Sequence, residues 1–138
     1  EEVRTAVPEA DVSGHENSEA AKQASIVIIS VPFEHTASTL KSIKEVLVDG
    51  QILVSMAVPL ATAVGDSAAR TVAIWQGSAA ELVESLAPDG VSVVSAFQNV
   101  SAHRLRQLDS PVECDVVVSG PKAARDSVMA IPPHMPQT

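Results

Sequence analysis

Residues 26–31 read IVIISV, an unbroken apolar run that is followed directly by Pro32. A short apolar run with a proline at its end is typical of a strand that is buried on both faces of a sheet. Two further runs have the same character, QILVSM over Gln51–Met56 and VSVVSAF over Val91–Phe97. A fourth run, DVVVS over Asp115–Ser119, is predicted to be a strand as well. We therefore expect a sheet of four strong strands. The segment near Val12 is compatible with a short additional strand.

Helical patterns separate these runs. From His35 to about Val48, apolar residues recur at spacings of three and four, as on the buried face of a helix. Ser78 and Glu81 form a capping-box pattern that opens a helix to about Ala87. Shorter helices are expected over residues 19–24, 101–108 and 122–130. Because strands that alternate with helices pair in parallel, the sequence predicts an α/β fold with an incomplete, Rossmann-like, doubly wound and mainly parallel sheet.

Composition narrows the functional classes. The chain has 138 residues, of which 46% are hydrophobic and only 2% aromatic, so its core must be built from aliphatic side chains. Its formal net charge of −8 and the lack of a basic run argue against a nucleic-acid partner. No apolar run approaches the roughly 20 residues that cross a bilayer, so no membrane partner is expected.

The cysteine count and the spacing of polar residues bear on location and metal binding. Cys114 is the single cysteine, which excludes an internal disulfide and favours a cytoplasmic protein with a structural thiol. No pair of His, Cys or carboxylate residues has metal-ligand spacing on one element, so we predict no metal.

The six glycines contain no G-x-G pair. The Gly-rich turn of a dinucleotide-binding domain lets the backbone approach a pyrophosphate at a helix N-terminus. We therefore expect this chain to be the later part of a cofactor-binding domain, with the opening unit outside it.

Parallel sheets bind ligands beyond the carboxyl ends of their strands. In this chain those ends combine small residues and prolines with few charges, over residues 30–35, 55–59, 96–102 and 119–121. Such loops suit a flat ligand and offer no acid–base pair. Hydride transfer between two stacked rings needs little more than this.

Five segments, taken in order, resemble one family. They read DVSGHENSEAAKQASIVIISVPFEHT, ILVSMAVP, GSAAELVESL, VVSAFQNVSAHRLRQLD and CDVVVSG. Their order and separation resemble the NADP-dependent oxidoreductases of the deazaflavin coenzyme F-420 (F420), over roughly residues 9 to 130. The resemblance implies an oxidoreductase with NADP and F420 as small-molecule partners, no catalytic side chain, and a homodimer when complete. It also implies a partial NADP-binding domain over residues 1–130, followed by an irregular or disordered tail over 131–138.

The same resemblance implies the cofactor-binding residues. One group follows the first strong strand beside the dinucleotide, a second lines the next loop, and a third lies near the nicotinamide. They are Ser30, Val31, Pro32, His35, Ala57, Val58, Pro59, Asn99, Val100 and Ala102. The position of Gln98 is a His in several relatives, so a specific deazaflavin contact there is not carried over.

Two alternatives remain at the level of sequence. One is another NADP-dependent reductase on the same scaffold, such as a pyrroline-carboxylate or imine reductase. The other is a non-catalytic α/β module for protein association. The association-module alternative depends on an expected feature of the sheet. Without its neighbouring strands, the strand at 26–31 has an exposed hydrophobic edge. The isolated chain would then be unstable or would pair that edge with another molecule.

Overall fold

A computed structural model describes residues 5, 8–9, 11–67, 69–107 and 112–131. Helices and strands alternate along the chain, as the sequence predicts. In chain order they are α1 (Asn17–Gln23), β1 (Ile26–Ile29), α2 (Phe33–Ile43), a 3₁₀ turn (Lys44–Val46), β2 (Ile52–Ser55), a second 3₁₀ turn (Ala61–Val64), α3 (Ala79–Leu86), β3 (Ser92–Ser95), α4 (Ala102–Leu105) and α5 (Lys122–Met129).

The three strands form one parallel sheet in the order β1-β2-β3. Ile26 pairs with Ile52, which pairs in turn with Ser92. The register continues to the carboxyl ends, where Ser55 lies between Ile29 and Ser95. The predicted α/β fold with a mainly parallel sheet is therefore confirmed.

The two faces of the sheet bury different residues because side chains alternate along a strand. Leu53 of β2 packs on one face in a cluster with Leu40 of α2 and Val83 of α3. Val54 points to the other face and packs in a cluster with Val128 of α5. The side chains of Leu53, Val54, Leu40 and Val83 are fully buried. Each stabilises the fold by roughly 1.5–3 kcal/mol because it leaves water.

Gln51 fixes α1 to the start of the central strand. Its buried side-chain nitrogen donates to the carbonyl oxygens of Ala21 at 2.8 Å and Ala24 at 2.6 Å. Its side-chain oxygen accepts from the backbone N–H of Val48 at 2.7 Å. The end of α1 and the turn before β2 are thus held by one polar side chain.

The prediction of a fourth strand over Asp115–Ser119 is wrong. Within the described residues, this segment makes only an isolated antiparallel bridge, in which Ser119 and Ser95 exchange backbone hydrogen bonds at 2.8 and 2.9 Å. Val116 and Val118 pack on the α5 face, but Val117 is 79% exposed. The alternating pattern therefore reflects a one-sided segment beside β3 and not a buried parallel strand.

Other boundaries also differ from the prediction. No strand forms near Val12, where residues 11–16 have no regular secondary structure. The predicted helix from His35 to Val48 begins at Phe33 and gives way to the 3₁₀ turn at Lys44. The helix predicted over 101–108 has only four residues, and residue 108 lies outside the described part of the chain. The predicted tail also lies outside it, except for Ile131.

One edge of β1 has no partner strand among the described residues, where β1 pairs only with β2. Ile28 is 46% exposed there. A cavity of about 290 Å³ lies beside this strand, with Ala20 and Ala24 of the α1 region on its other wall. No Lys, Pro or acidic residue interrupts Ile26–Ile29, so the devices that usually protect such an edge are missing from it.

None of the described helices is both long enough and apolar enough to cross a membrane.

We expect Ile28→Lys to reduce self-association of the 138-residue chain, because a charge on an exposed edge opposes the addition of another strand. Sedimentation velocity at increasing protein concentration measures the effect. Val117→Lys is the matched control, since Val117 is an exposed valine beside the opposite edge strand. A wild-type chain that stays monomeric throughout, or equal effects of the two substitutions, would contradict this prediction.

Candidate functional site

The carboxyl ends of all three strands lie at the same side of the sheet because the strands are parallel. Two cavities open there, and they share Ala57 and Val58 of the loop after β2. We name them the β1–β2 cavity and the β2–β3 cavity after the strands whose loops line them.

The β1–β2 cavity has a volume of about 350 Å³. Pro32 gives the loop after β1 its extended form and ends it at the first turn of α2, where its carbonyl oxygen accepts from the N–H of His35 at 2.9 Å. The side chains around this cavity are small or apolar apart from one carboxylate. They are Ser30, Val31, Pro32, Phe33, Glu34, Met56, Ala57, Val58 and Leu60.

The β2–β3 cavity is larger, at about 550 Å³. One wall is the segment Thr71–Ala73, which a bridge between Leu60 and Thr71 holds against the loop after β2. Another wall is the start of α3, where Ser78 Oγ accepts from the N–H of Glu81 at 3.2 Å. This cap confirms the helix start that the sequence predicts. The remaining lining comes from Ser95 and Gln98.

The loop after β3 begins in an unusual conformation. Phe97 has a φ of 66°, which is the left-handed region that a residue with a Cβ rarely adopts. Such a conformation costs roughly 1–2 kcal/mol relative to the right-handed one. Gln98 follows directly, and its side-chain nitrogen donates to the backbone oxygen of Ser55 at 3.2 Å and to Ser95 Oγ.

Ser55 is almost completely buried, and its Oγ has no hydrogen-bond partner among the described residues. Burial of an unpaired hydroxyl is unfavourable, so each such group in a folded protein calls for an explanation. Ser55 is also the last residue of β2, directly before the loop that both cavities share.

The two cavities differ in the charge of the side chains that line them. No ionisable side chain lines the β2–β3 cavity, and Glu34 is the one that lines the β1–β2 cavity. Neither lining includes Lys or Arg, so no cationic side chain in either lining can pair with a phosphate. Both are suited to flat, weakly polar rings. No group of three or more potential metal ligands is found within the described ranges.

Comparison with known proteins identifies the family. The family model described as "NADP oxidoreductase coenzyme F420-dependent" matches residues 1–59. The F420-dependent NADP reductase of Methanocaldococcus jannaschii is 50% identical over 112 residues, which are 81% of this chain and 49% of that protein. The protein of the same name from Methanothermobacter marburgensis is 38% identical over 109 residues, which are 78% of this chain and 48% of that protein.

This chain belongs to the F420-dependent NADP oxidoreductase family. The resemblance recognised in the sequence is therefore confirmed. The chain spans about half the length of the relatives that it matches. The relatives bear the names of F420-dependent enzymes, so the imine-reductase and association-module alternatives are not favoured.

A solved structure supports the fold. The crystal structure of a candidate F420-dependent NADP reductase from Arthrobacter sp. FB24 superimposes with a TM-score of 0.65 at 24% sequence identity. The superposition covers 84% of this chain and 52% of that one. The three parallel strands of this F420 oxidoreductase family member thus follow an architecture that is known from experiment.

The residues predicted to bind cofactor divide into two sets. Those after β1 and β2 meet around the two cavities, and they are Ser30, Val31, Pro32, Ala57, Val58 and Pro59. The other four, which line neither cavity, are His35, Asn99, Val100 and Ala102. Among these four, Asn99 instead donates from its side chain to the backbone oxygen of Asp115 at 2.5 Å. All ten remain predictions as cofactor contacts.

Sequence reasoning missed part of the cavity wall. The sequence over Val72–Trp75 fits either a short strand or a loop, and nothing in Thr71–Ala73 signals a position beside β2. The role of Gln98 was also missed, because its partner Ser55 lies 43 positions earlier. A polar residue directly after a buried strand was the one available signal.

We expect Phe97→Gly to give a more stable chain than Phe97→Ala, by about 1 kcal/mol, because alanine retains the penalty of a positive φ and glycine does not. Both substitutions remove the same packing of the aromatic ring. Urea unfolding measures the difference. Phe33 begins α2 and provides the control, at which we expect alanine to be the more stable replacement. The prediction fails if alanine is also preferred at position 97.

Proposed function

We propose that the protein carrying this chain transfers a hydride between F420 and NADP, and that the two cavities at the carboxyl ends of the strands hold the reacting rings. The observation that carries the proposal is the pair of adjoining cavities that share Ala57 and Val58, in a chain related to F420-dependent NADP reductases. In this proposal the two rings extend from their cavities and meet face to face over the shared loop, because a loop lying between them would keep the reacting carbons too far apart. Hydride transfer requires such proximity more than it requires any side-chain group.

The lining suits this chemistry. When bound, the two cofactors supply the carbon atoms between which the hydride moves. Ala57 and Val58 give the rings close, apolar contact, and Pro59 stiffens the loop that carries both residues. Small side chains allow close approach, and the apolar surface excludes water from the space between the rings.

The phosphates of the dinucleotide require separate contacts. The lining of the two cavities contains no Lys or Arg, and the chain as a whole carries a net charge of −8. The resemblance to the family supports a Gly-rich turn and basic residues as the missing phosphate contacts. The chain's own residues then bind and orient the nicotinamide end.

We infer from the single cysteine that the protein is cytoplasmic, and from the family resemblance that the complete protein forms a homodimer. Sedimentation equilibrium of the protein tests its assembly state. Cell fractionation tests its location.

We expect the protein to oxidise NADPH in the presence of oxidised F420, and the loss of the visible deazaflavin absorbance measures the reaction. The same preparation is offered a cyclic imine with NADPH as the control substrate. Turnover of the imine without turnover of F420 would contradict the proposal. So would the absence of turnover from a preparation that binds NADP⁺.

We expect Val58→Phe to weaken NADP⁺ binding by about tenfold or more, because the added ring occupies the loop that both cavities share. Isothermal titration calorimetry measures the affinity, and the thermal midpoint shows whether the variant is folded. Val48→Phe is the matched control, since Val48 is exposed and lies before β2, at the opposite end of the strand. Equal affinities for the two variants would contradict the placement of the ligand.

A further inference from the structure

Gln98 connects two strands at the mouth of the β2–β3 cavity. Its side-chain nitrogen donates to the last backbone oxygen of β2, that of Ser55, at 3.2 Å. The same nitrogen makes a short contact with the hydroxyl of Ser95, the last residue of β3. Ser55 and Ser95 are register partners, so Gln98 spans the final rung of the parallel ladder.

The orientation of the amide follows from the chemistry of its partners. A backbone carbonyl only accepts hydrogen bonds, so the nitrogen of Gln98 and not its oxygen must face Ser55. An amide nitrogen has two protons, which is enough to satisfy the Ser55 carbonyl and the Ser95 hydroxyl together. An ionised carboxylate of the same shape has no proton to donate to either.

The backbone around Gln98 is held in a conformation that it would not adopt by itself. Phe97 has a positive φ, and the N–H of Val100 donates back to the Phe97 carbonyl at 3.1 Å, which closes a tight turn. The ring of Phe97 packs against the α5 face of the sheet. Several contacts offset the unfavourable φ: packing of Phe97, the hydrogen bonds of Gln98, the bond from the N–H of Ala96 to the Ser55 carbonyl at 3.2 Å, and the bond from Asn99 to the Asp115 carbonyl.

We propose that Gln98 is a positioning residue for the ring ligand, acting as a latch that holds the loop after β3 against the end of β2 and so fixes the shape of the β2–β3 cavity. This inference rests on the proposed function for the identity of the ligand. Gln98 acts through Ser55, Ser95 and the turn at Phe97, and it takes no part in hydride transfer. Its effect is on affinity and on the order of the loop.

The test replaces Gln98 by an isosteric group whose donor ability depends on pH. At pH 7, Gln98→Glu removes both donated hydrogen bonds and places a carboxylate beside the Ser55 carbonyl. We expect NADP⁺ affinity, measured by isothermal titration calorimetry, to fall on the order of tenfold. As the pH falls toward and below about 4.3, the introduced carboxyl becomes protonated and can donate to Ser55, so the ratio of variant to wild-type affinity should recover.

Gln107→Glu is the matched control, because it makes the same change of charge at an exposed glutamine just after α4. Its affinity should equal that of the wild type at each pH. No charged side chain lines the β2–β3 cavity, so the pH dependence of the ratio reports on the introduced group. A Gln98→Glu variant with wild-type affinity at pH 7, or with a deficit that does not change with pH, would overturn the proposal.

A second measurement does not require the ligand. In Gln98→Glu at pH 7, the amide of Val100 should exchange with solvent about tenfold or more faster than in the wild type, because its partner carbonyl belongs to the released turn. Unchanged exchange would overturn the latch. If the wild type binds no NADP⁺ but exchange responds as expected, the latch stands as a loop-ordering device and the proposed function fails.

Discussion

The rest of this structure depends on the central strand β2, which is buried on both faces and hydrogen-bonded along both edges. Ile52–Ser55 is the one described strand with a neighbour on each side. Leu53 and Val54 point to opposite faces, and both are fully buried. Apart from Ser55, the side chains of this strand are aliphatic and buried, because helices cover both faces of the sheet. The parallel direction of its neighbours then follows from the helices that connect them.

That constraint also produces the site. Parallel strands end on the same side, so the loops after β1, β2 and β3 meet without any long-range signal in their own sequences. The loop after the central strand lies between the other two, and for this reason Ala57 and Val58 contribute to both cavities. The polar atoms at this end include the carbonyl of Ser55, which accepts from Gln98 and from the N–H of Ala96, and the hydroxyl of Ser55, which is buried without a partner among the described residues. The centre of the fold and the centre of the candidate site are therefore the same strand.

The sequence predicts the elements that depend on burial and misses those that depend on contact between distant residues. The runs at 26–31, 51–56 and 91–97 are continuous and apolar, and each contains a strand of the sheet. The run at 115–119 is equally rich in valine, but its middle residue faces water, and valine content alone does not distinguish a buried strand from a one-sided segment.

The same distinction applies to the candidate site. The loops after β1, β2 and β3 are all predicted to bind the cofactor, since ligands bind at strand ends in parallel sheets. The predicted residues after β1 and β2 line the cavities, apart from His35, whereas Asn99, Val100 and Ala102 after β3 do not. The wall at Thr71–Ala73 depends on one bridge to Leu60, and the position of Gln98 depends on a positive φ at Phe97. Neither has a local pattern, since phenylalanine gives no sign of a left-handed conformation and a bridge of one residue pair leaves no periodicity.

The charge distribution separates two tasks that a dinucleotide enzyme must perform. Recognition of phosphates needs donors and positive charge, whereas holding two rings together needs a dry, uncharged surface. No ionisable side chain lines the β2–β3 cavity, Glu34 is the one that lines the β1–β2 cavity, and neither lining includes Lys or Arg, in a chain whose net charge is −8. What the lining of the β2–β3 cavity offers a ring is shape, through the short side chains of Ala57 and Ser95 and the loop that Gln98 holds. Under the proposed function, salt would weaken the contacts to the phosphates, whereas substitutions at the carboxyl ends of β2 and β3 would weaken binding by disturbing the fit of the ring.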